Sequence, residues 1–121
     1  MALAFREIEV PIGPRDCSAA WEHDEKFDFP RKIKVDDNDN LVVDVAIKAY
    51  DLEALANGNP TEFMVWHDKV SVELTTSGHR SGSVRLSAWL RPHPNYAASS
   101  GYGFRGTVKA LVIADLEDGH T

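Results

Sequence analysis

The fold is decided by the stretch from Val70 to Leu90, which reads VSVELTT-SGHRSG-SVRLSAWL. Apolar and polar residues alternate strictly in its two outer segments, and a short segment rich in glycine and serine separates them. This pattern predicts a β-hairpin. One face of the hairpin is predicted to be buried, and it carries the side chains of Val70, Val72, Leu74, Val84, Leu86, Ala88 and Leu90. The opposite face is predicted to be solvated.

Trp89 is the exception on the polar face of this hairpin. Arg91, His93 and Tyr96 follow it closely in the sequence. An indole face fits the apolar C–H patch of a pyranose ring, and the neighbouring side chains can donate hydrogen bonds to hydroxyl groups or accept them. These four residues are therefore the candidate carbohydrate-binding site. The alternative is that Trp89 packs under the loop that follows or against another subunit, and the residues leave both interpretations open.

The rest of the chain continues the extended pattern. Phe5–Ile12 is predicted to be a strand in which Pro11 removes a hydrogen-bond donor, which favours an edge strand or a strand that ends there. Leu41–Tyr50 is the most strand-like segment, with Val43, Val45, Ile47 and Ala49 on one face. Arg105–Leu116 alternates with two largely apolar faces, which predicts an inner strand.

Other segments are predicted to be irregular. Gly13–Asp16 has turn-forming residues, and Ser18–Lys26 is polar with a short helical propensity. Asp51–Pro60 is predicted to hold one helical turn, with Asp51 as its cap. Arg91–Gly103 is predicted to be a long loop, since it contains two prolines and two glycines.

About six strands separated by turn signals predict one all-β domain over residues 1–121. The expected architecture is a six- to seven-stranded antiparallel β-sandwich, and a small barrel is the competing one. Of the 121 residues, 43% are hydrophobic, which is enough to form a core without disulfides. Cys17 is the single cysteine, and it is expected to be a small buried or half-buried residue.

The formal net charge of −6 argues against nucleic acid and against anionic membranes as partners. The sequence has neither a signal peptide's apolar region nor a run long enough for a membrane helix. We therefore expect synthesis in the cytoplasm, and a non-classical route of release stays open.

Catalytic and metal-binding motifs are missing from the sequence. The five histidines form no HxH or HExxH pair, and there is no GxSxG motif or phosphate-binding glycine loop. We expect no enzyme activity, no cofactor and no metal ligands. Asp36–Asn40 repeats oxygen ligands in the rhythm that calcium loops use, but it lacks the glycine and glutamate of an EF-hand. It is predicted to be a solvated loop, with calcium binding left open.

The chain resembles the H-type lectin family over the range from Phe27 to Leu116. Leu41–Asp51 looks like the family's apolar strand that ends in an aspartate, and Val70–Gly78 is similar to its hairpin with the pattern V-x-V…T-T-x-G. Ser87-Ala88-Trp89 stands where the family has a Thr-Trp pair. Val108–Ala114 looks like the family's closing strand.

This resemblance implies a six-stranded sandwich that forms trimers or hexamers and binds terminal galactose or N-acetylgalactosamine at subunit borders. The sugar-contacting tryptophan of the family would correspond to Trp89, and its tyrosine to Tyr96. The polar residue that follows the tryptophan falls at Leu90, so Arg91 or His93 would have to replace it. The alternative function is that of a structural subunit of a phage or secretion apparatus, which binds no small molecule and uses Trp89 and Trp66 in a subunit interface.

Overall fold

The computed structural model describes residues 3–61, 65–92 and 101–117, and for residues 65–67 it describes the backbone alone. This part of the chain contains seven β-strands and no helix. The strands are β1 (Leu3–Asp16), β2 (Trp21–Asp28), β3 (Val43–Ala56), β4 (Asn59–Pro60), β5 (Val65–Thr76), β6 (Ser81–Pro92) and β7 (Tyr102–Asp115). No helix that could cross a membrane is found among the described residues.

The strands form two separate antiparallel sheets. Sheet A has the order β1-β7-β3-β4, and sheet B has the order β2-β6-β5. The all-β prediction is therefore confirmed, and two separate sheets around one core agree with a sandwich better than with a closed barrel.

The hairpin from Val70 to Leu90 is present as predicted. In the pairing of β5 with β6, Val70 lies opposite Ala88, Val72 opposite Leu86, and Leu74 opposite Val84. Every second residue of β6, from Gly82 to Pro92, is buried, and the residues between them are half-buried or exposed. In β6 the alternation predicted from the sequence thus separates core from surface, whereas Val70, Val72 and Leu74 of β5, which were predicted to be buried, are half-buried.

The core lies between β6 and β7. Strand β7 is the inner strand of sheet A, between β1 and β3, as its two apolar faces predicted. Its inward residues are fully buried or nearly so, namely Val108, Ala110, Val112 and Ala114. They share one cluster with Val84, Leu86 and Ala88 of sheet B. β1 is an edge strand, and its prolines are therefore tolerated where a central strand would lose ladder bonds.

Several local predictions are wrong. Gly13–Asp16 is not a turn but the end of β1, where the register shifts between Ile12 and Arg15. Ser18–Lys26 is largely strand β2, and Asp51–Pro60 contains no helical turn because β3 continues to Ala56. In each case, ladder hydrogen bonds to a neighbouring strand override a weak local preference.

A tight hairpin turn follows β3, where the sequence analysis predicted the end of a helical turn. Asn57 and Gly58 have positive φ angles of 51° and 82°, as a tight β-hairpin turn requires, and they connect β3 to β4. The predicted loop Arg91–Gly103 is shorter than expected, because Arg91 and Pro92 belong to β6, and Tyr102 and Gly103 belong to β7.

At Lys48, the alternation of inward and outward side chains along β3 reverses. The register shifts between Ile47 and Ala49, so Ala49 pairs with Lys109 on the outer side of sheet A. The prediction that Ala49 shares a face with Val43, Val45 and Ile47 is therefore wrong. An extra residue of this kind is a β-bulge, which reverses the alternation that follows it.

The Asp36–Asn40 loop is exposed, as predicted. The Asp36 Oδ1 atom accepts hydrogen bonds from the backbone N–H groups of Asn38 and Asn40, at 2.8 and 2.9 Å. Asp39 has a φ of 61°, in the left-handed region that aspartate tolerates. One carboxylate oxygen of the loop is therefore already used to close its turn.

Candidate functional site

Trp89 lies on the outer face of sheet B, near the end of β6. It pairs with Lys69 of β5, and its ring is half-buried. Its flanking residues Ala88 and Leu90 point into the core. The alternation of the strand therefore places the indole on the outer side of β6, where it also packs against the margin of the core cluster.

The indole is fixed by a hydrogen bond to a distant part of the chain. The Trp89 Nε1–H donates to the carbonyl oxygen of Cys17 at 3.0 Å. The Cys17 N–H donates in turn to the carbonyl oxygen of Tyr102 at 3.3 Å. A half-buried indole N–H normally finds such a partner, and the bond restricts the rotation of the ring.

The connection between β1 and β2 provides this carbonyl group, and it is ordered at both ends. The Asp16 carboxylate accepts hydrogen bonds from the backbone and the side chain of Ser18, which lowers the pKa of Asp16 below its ordinary value. The Arg15 guanidinium donates to the Ala20 carbonyl at 3.3 Å. Burial raises the pKa of the Cys17 thiol, as expected for a half-buried residue.

Arg91 lies next to the indole on the same outer face. Its guanidinium carbon is 5.2 Å from the centroid of the Trp89 ring, within the range of a cation–π contact. The guanidinium is thus held over one face of the indole. A ligand at this position would meet the N–H donors of the guanidinium and the part of the ring that the guanidinium leaves uncovered.

A row of small polar side chains continues from Trp89 along the outer face of sheet B. Ser87 comes next on β6, and it lies between Ser71 of β5 and Glu22 of β2. This row adds two hydroxyl groups and one carboxylate to the indole, the guanidinium and the Lys69 ammonium group. We call these residues the Trp89 face, namely Glu22, Lys69, Ser71, Ser87, Trp89 and Arg91.

The next row is already occupied by an ion pair. The Arg85 Nε donates to Asp24 Oδ1 at 3.1 Å, and Glu73 lies across from Arg85 on β5. Hydrogen bonding to Arg85 lowers the pKa of Asp24, and the same bond raises the pKa of Arg85. The Asp24–Arg85 ion pair therefore borders one end of the Trp89 face.

The structure places two of the four residues of the predicted carbohydrate-binding site next to each other. Trp89 and Arg91 are adjacent, whereas His93 and Tyr96 lie outside the described residues, so their roles stay predictions. Within the described residues, no group of three or more histidine, cysteine, aspartate or glutamate side chains is arranged to hold a metal ion.

Comparisons with known proteins found no relative of this chain. No family model, curated protein or solved structure matches this chain. The resemblance to H-type lectins therefore stays an expectation from the sequence.

The predicted site lacked four residues of the Trp89 face, namely Glu22, Lys69, Ser71 and Ser87. Glu22 lies on β2, and most of that strand falls in the segment Ser18–Lys26, which was predicted to be irregular. The fixed indole was not foreseeable either, because its acceptor is 72 residues away along the chain.

Proposed function

We propose that this protein is a non-enzymatic carbohydrate-binding module and that the Trp89 face is its sugar site. The observation that carries the proposal is the half-buried indole on the outer side of β6, which a hydrogen bond fixes in place and over which the Arg91 guanidinium lies. Its ligand class is that of galactose and N-acetylgalactosamine, in line with the sequence resemblance.

Pre-organisation supports this function. Binding usually costs free energy to order side chains, and a ring held by a hydrogen bond has already lost much of that freedom. The Trp89 N–H is used by Cys17, so the ring would contribute its apolar surface and not a hydrogen bond. A sugar also needs donors and acceptors around that surface, which Arg91, Ser87 and Glu22 supply.

The test is binding to a glycan array and then titration with the glycans that bind. Trp89→Ala is expected to weaken binding by about tenfold or more, because an aromatic anchor of this kind usually carries much of the binding free energy. Trp89→Phe keeps a flat ring and removes the N–H, so an intermediate loss is expected. Tyr50→Ala is the matched control, since Tyr50 is 48% exposed on the other sheet.

The alternative function is a structural assembly subunit without a small-molecule ligand. In this alternative, Trp89 and Trp66 form a subunit interface, and the half-buried indole of Trp89 would complete its burial against a neighbouring subunit. A parent protein that binds no glycan and loses its oligomer on Trp89→Ala would support this alternative. Glycan binding that is lost in Trp89→Ala at unchanged oligomer mass would support the carbohydrate-binding module.

A further inference from the structure

The outer face of sheet B carries a groove directly beyond the Trp89 face. Its lining comes from the next two rows of residues across the sheet, and its volume is about 440 Å³. Ligand-binding clefts in proteins typically measure about 300–1,000 Å³, so this groove is large enough for a small organic molecule. We call it the Ser83 groove, and its residues are Asp24, Lys26, Glu73, Thr75, Ser83 and Arg85.

We propose that the Ser83 groove is a second sugar subsite, and that this protein binds a neutral oligosaccharide that extends along β6 from Trp89. This role rests on the proposed function, in which Trp89 holds the terminal sugar of the same glycan. Trp89 and Ser83 are six residues apart on one strand, a distance of about 20 Å. A single sugar ring is shorter than this distance, so only several linked sugars can span it.

The path between the two subsites is lined mainly by small hydroxyl side chains. Ser87 and Ser83 lie on the outer side of β6, and their partners on β5 are Ser71 and Thr75. The one long side chain that β6 places between them is Arg85. Its guanidinium donates hydrogen bonds to the carboxylate on the neighbouring β2, which directs it away from the hydroxyl groups of β5.

The groove also offers hydrogen-bonding groups that the fold does not use. In the part of the chain that the structure describes, no hydrogen bond or ion pair engages the side chains of Lys26, Thr75 and Ser83. Asp24 and Arg85 are paired with each other, but a carboxylate and a guanidinium keep unused acceptor and donor positions after such a contact. Both side chains are more than half exposed, so a ligand can reach these positions.

The order of the charges along the path favours a neutral glycan. Counted from Trp89, the first row has Lys69, the second Glu22, the third Asp24, Arg85 and Glu73, and the fourth Lys26. Carboxylates accept hydrogen bonds from sugar hydroxyls and cationic groups donate them, so a neutral glycan finds both kinds of partner. A polyanionic glycan needs a continuous cationic surface, which the carboxylates of the second and third rows interrupt.

The first test is the dependence of affinity on glycan length. NMR titration of the full chain uses galactose and β-1,4-linked galactose oligomers of two, three and four residues. The tetrasaccharide is expected to bind about tenfold more tightly than galactose, because its further sugars contact the Ser83 groove. Affinity that does not rise with length would overturn the second subsite, whereas galactose binding that Trp89→Ala abolishes would leave the proposed function intact. If no member of the series binds, the proposed function itself is contradicted.

The same titrations locate the longer glycan on the sheet. The amide signals of Lys26, Thr75 and Ser83 are expected to shift with the tetrasaccharide and not with galactose. A gain in affinity that leaves these three signals unchanged would mean that the glycan leaves Trp89 in another direction, and it would overturn the inference.

The second test fills the groove with a larger side chain. Ser83→Phe is expected to weaken binding of the tetrasaccharide about fivefold or more and to leave galactose binding unchanged. Thr107→Phe is the matched control, because Thr107 is also half-buried on the outer side of an inner strand, in sheet A. Thermal melts check that both variants fold. Equal tetrasaccharide affinity in Ser83→Phe and wild type, or an equal loss for galactose and tetrasaccharide, would overturn the second subsite.

Discussion

Gly82 shows how a single residue limits the packing of the sandwich. It is buried on the inner face of β6, where it pairs with Phe27 of β2. A Cβ atom built at this position would come within 2.8 Å of Phe27 Cζ and would also collide with the carbonyl oxygen of Thr75. The absence of a side chain is thus what allows the Phe27 ring to lie against the strand.

We expect Gly82→Ala to destabilise the protein by about 1–3 kcal/mol, because the Phe27 ring and the backbone of β5 must both move. Urea unfolding measures the change. Gly13→Ala is the matched control, since a Cβ atom there meets nothing within 4 Å. Equal midpoints for the two variants would contradict the proposed collision.

At the scale of the element, β2 is an edge strand whose inward side is unusually polar. Trp21 stacks on His23 with ring centroids 5.9 Å apart, and His23 Nε2 lies 2.7 Å from Glu25 Oε2. Inward polar groups on an edge strand discourage pairing with another chain's strand. The outward side of β2 is attached to β6 by the Asp24–Arg85 ion pair.

This ion pair predicts a pH dependence. Arg85 holds the pKa of Asp24 below its ordinary value of 3.8, so the carboxylate is favoured in the folded state. The stabilisation of the folded state by this ion pair is fully present above pH 3.8, and it is lost as the pH falls through the lower pKa that Asp24 has in the folded state. We expect Asp24→Asn to lower the urea midpoint slightly at neutral pH, and the difference from wild type should shrink below about pH 4. The effect should be small because both side chains are more than half exposed.

Urea titrations of both proteins from neutral to acid pH measure this difference. Asp37→Asn serves as the control for a general change of charge, since Asp37 lies in the exposed loop. If the difference in urea midpoint between wild type and Asp24→Asn stayed constant down to the lowest pH, the proposed contribution of the Asp24–Arg85 ion pair would be contradicted.

At the scale of the whole molecule, two rows of aliphatic side chains hold the sheets together. Leu86 of sheet B and Val112 of sheet A are both 0% exposed, and they belong to one continuous cluster. Outward neighbours such as Ser87 contribute little to this core. The effect of a substitution on the free energy of unfolding should therefore depend more on whether the side chain faces the core or the solvent than on where the residue lies along its strand.

Leu86→Ala is expected to reduce the free energy of unfolding by about 2–5 kcal/mol, through lost burial and the cavity left behind. Ser87→Ala, one residue further on, is expected to change it by no more than about 0.5 kcal/mol. Chemical denaturation with a fixed m-value compares the two. Similar losses in both variants would mean that β6 does not divide core from surface at these positions.

The core-facing and solvent-facing sides of the strands could be predicted from the sequence, because they depend on the alternation of adjacent residues. The alternation of Val70, Val72 and Leu74, and that of Val84, Leu86 and Ala88, already distinguished the buried face from the wet one. The apolar stretch around Val112 likewise identified an inner strand. Side chains alternate along any strand, so a strong local pattern predicts the same division in every arrangement of the sheets.

Tertiary structure alone decided what depends on residues far apart in the chain. Strand β2 has polar inward side chains such as His23 and Glu25, and it is a strand because β6 supplies its hydrogen bonds. The Trp89 N–H reaches the Cys17 carbonyl because the β1–β2 connection passes beside the end of β6. The sequence placed an indole on the outer face, but long-range pairing determined which groups surround it, because contacts between distant segments leave no periodic trace in either segment.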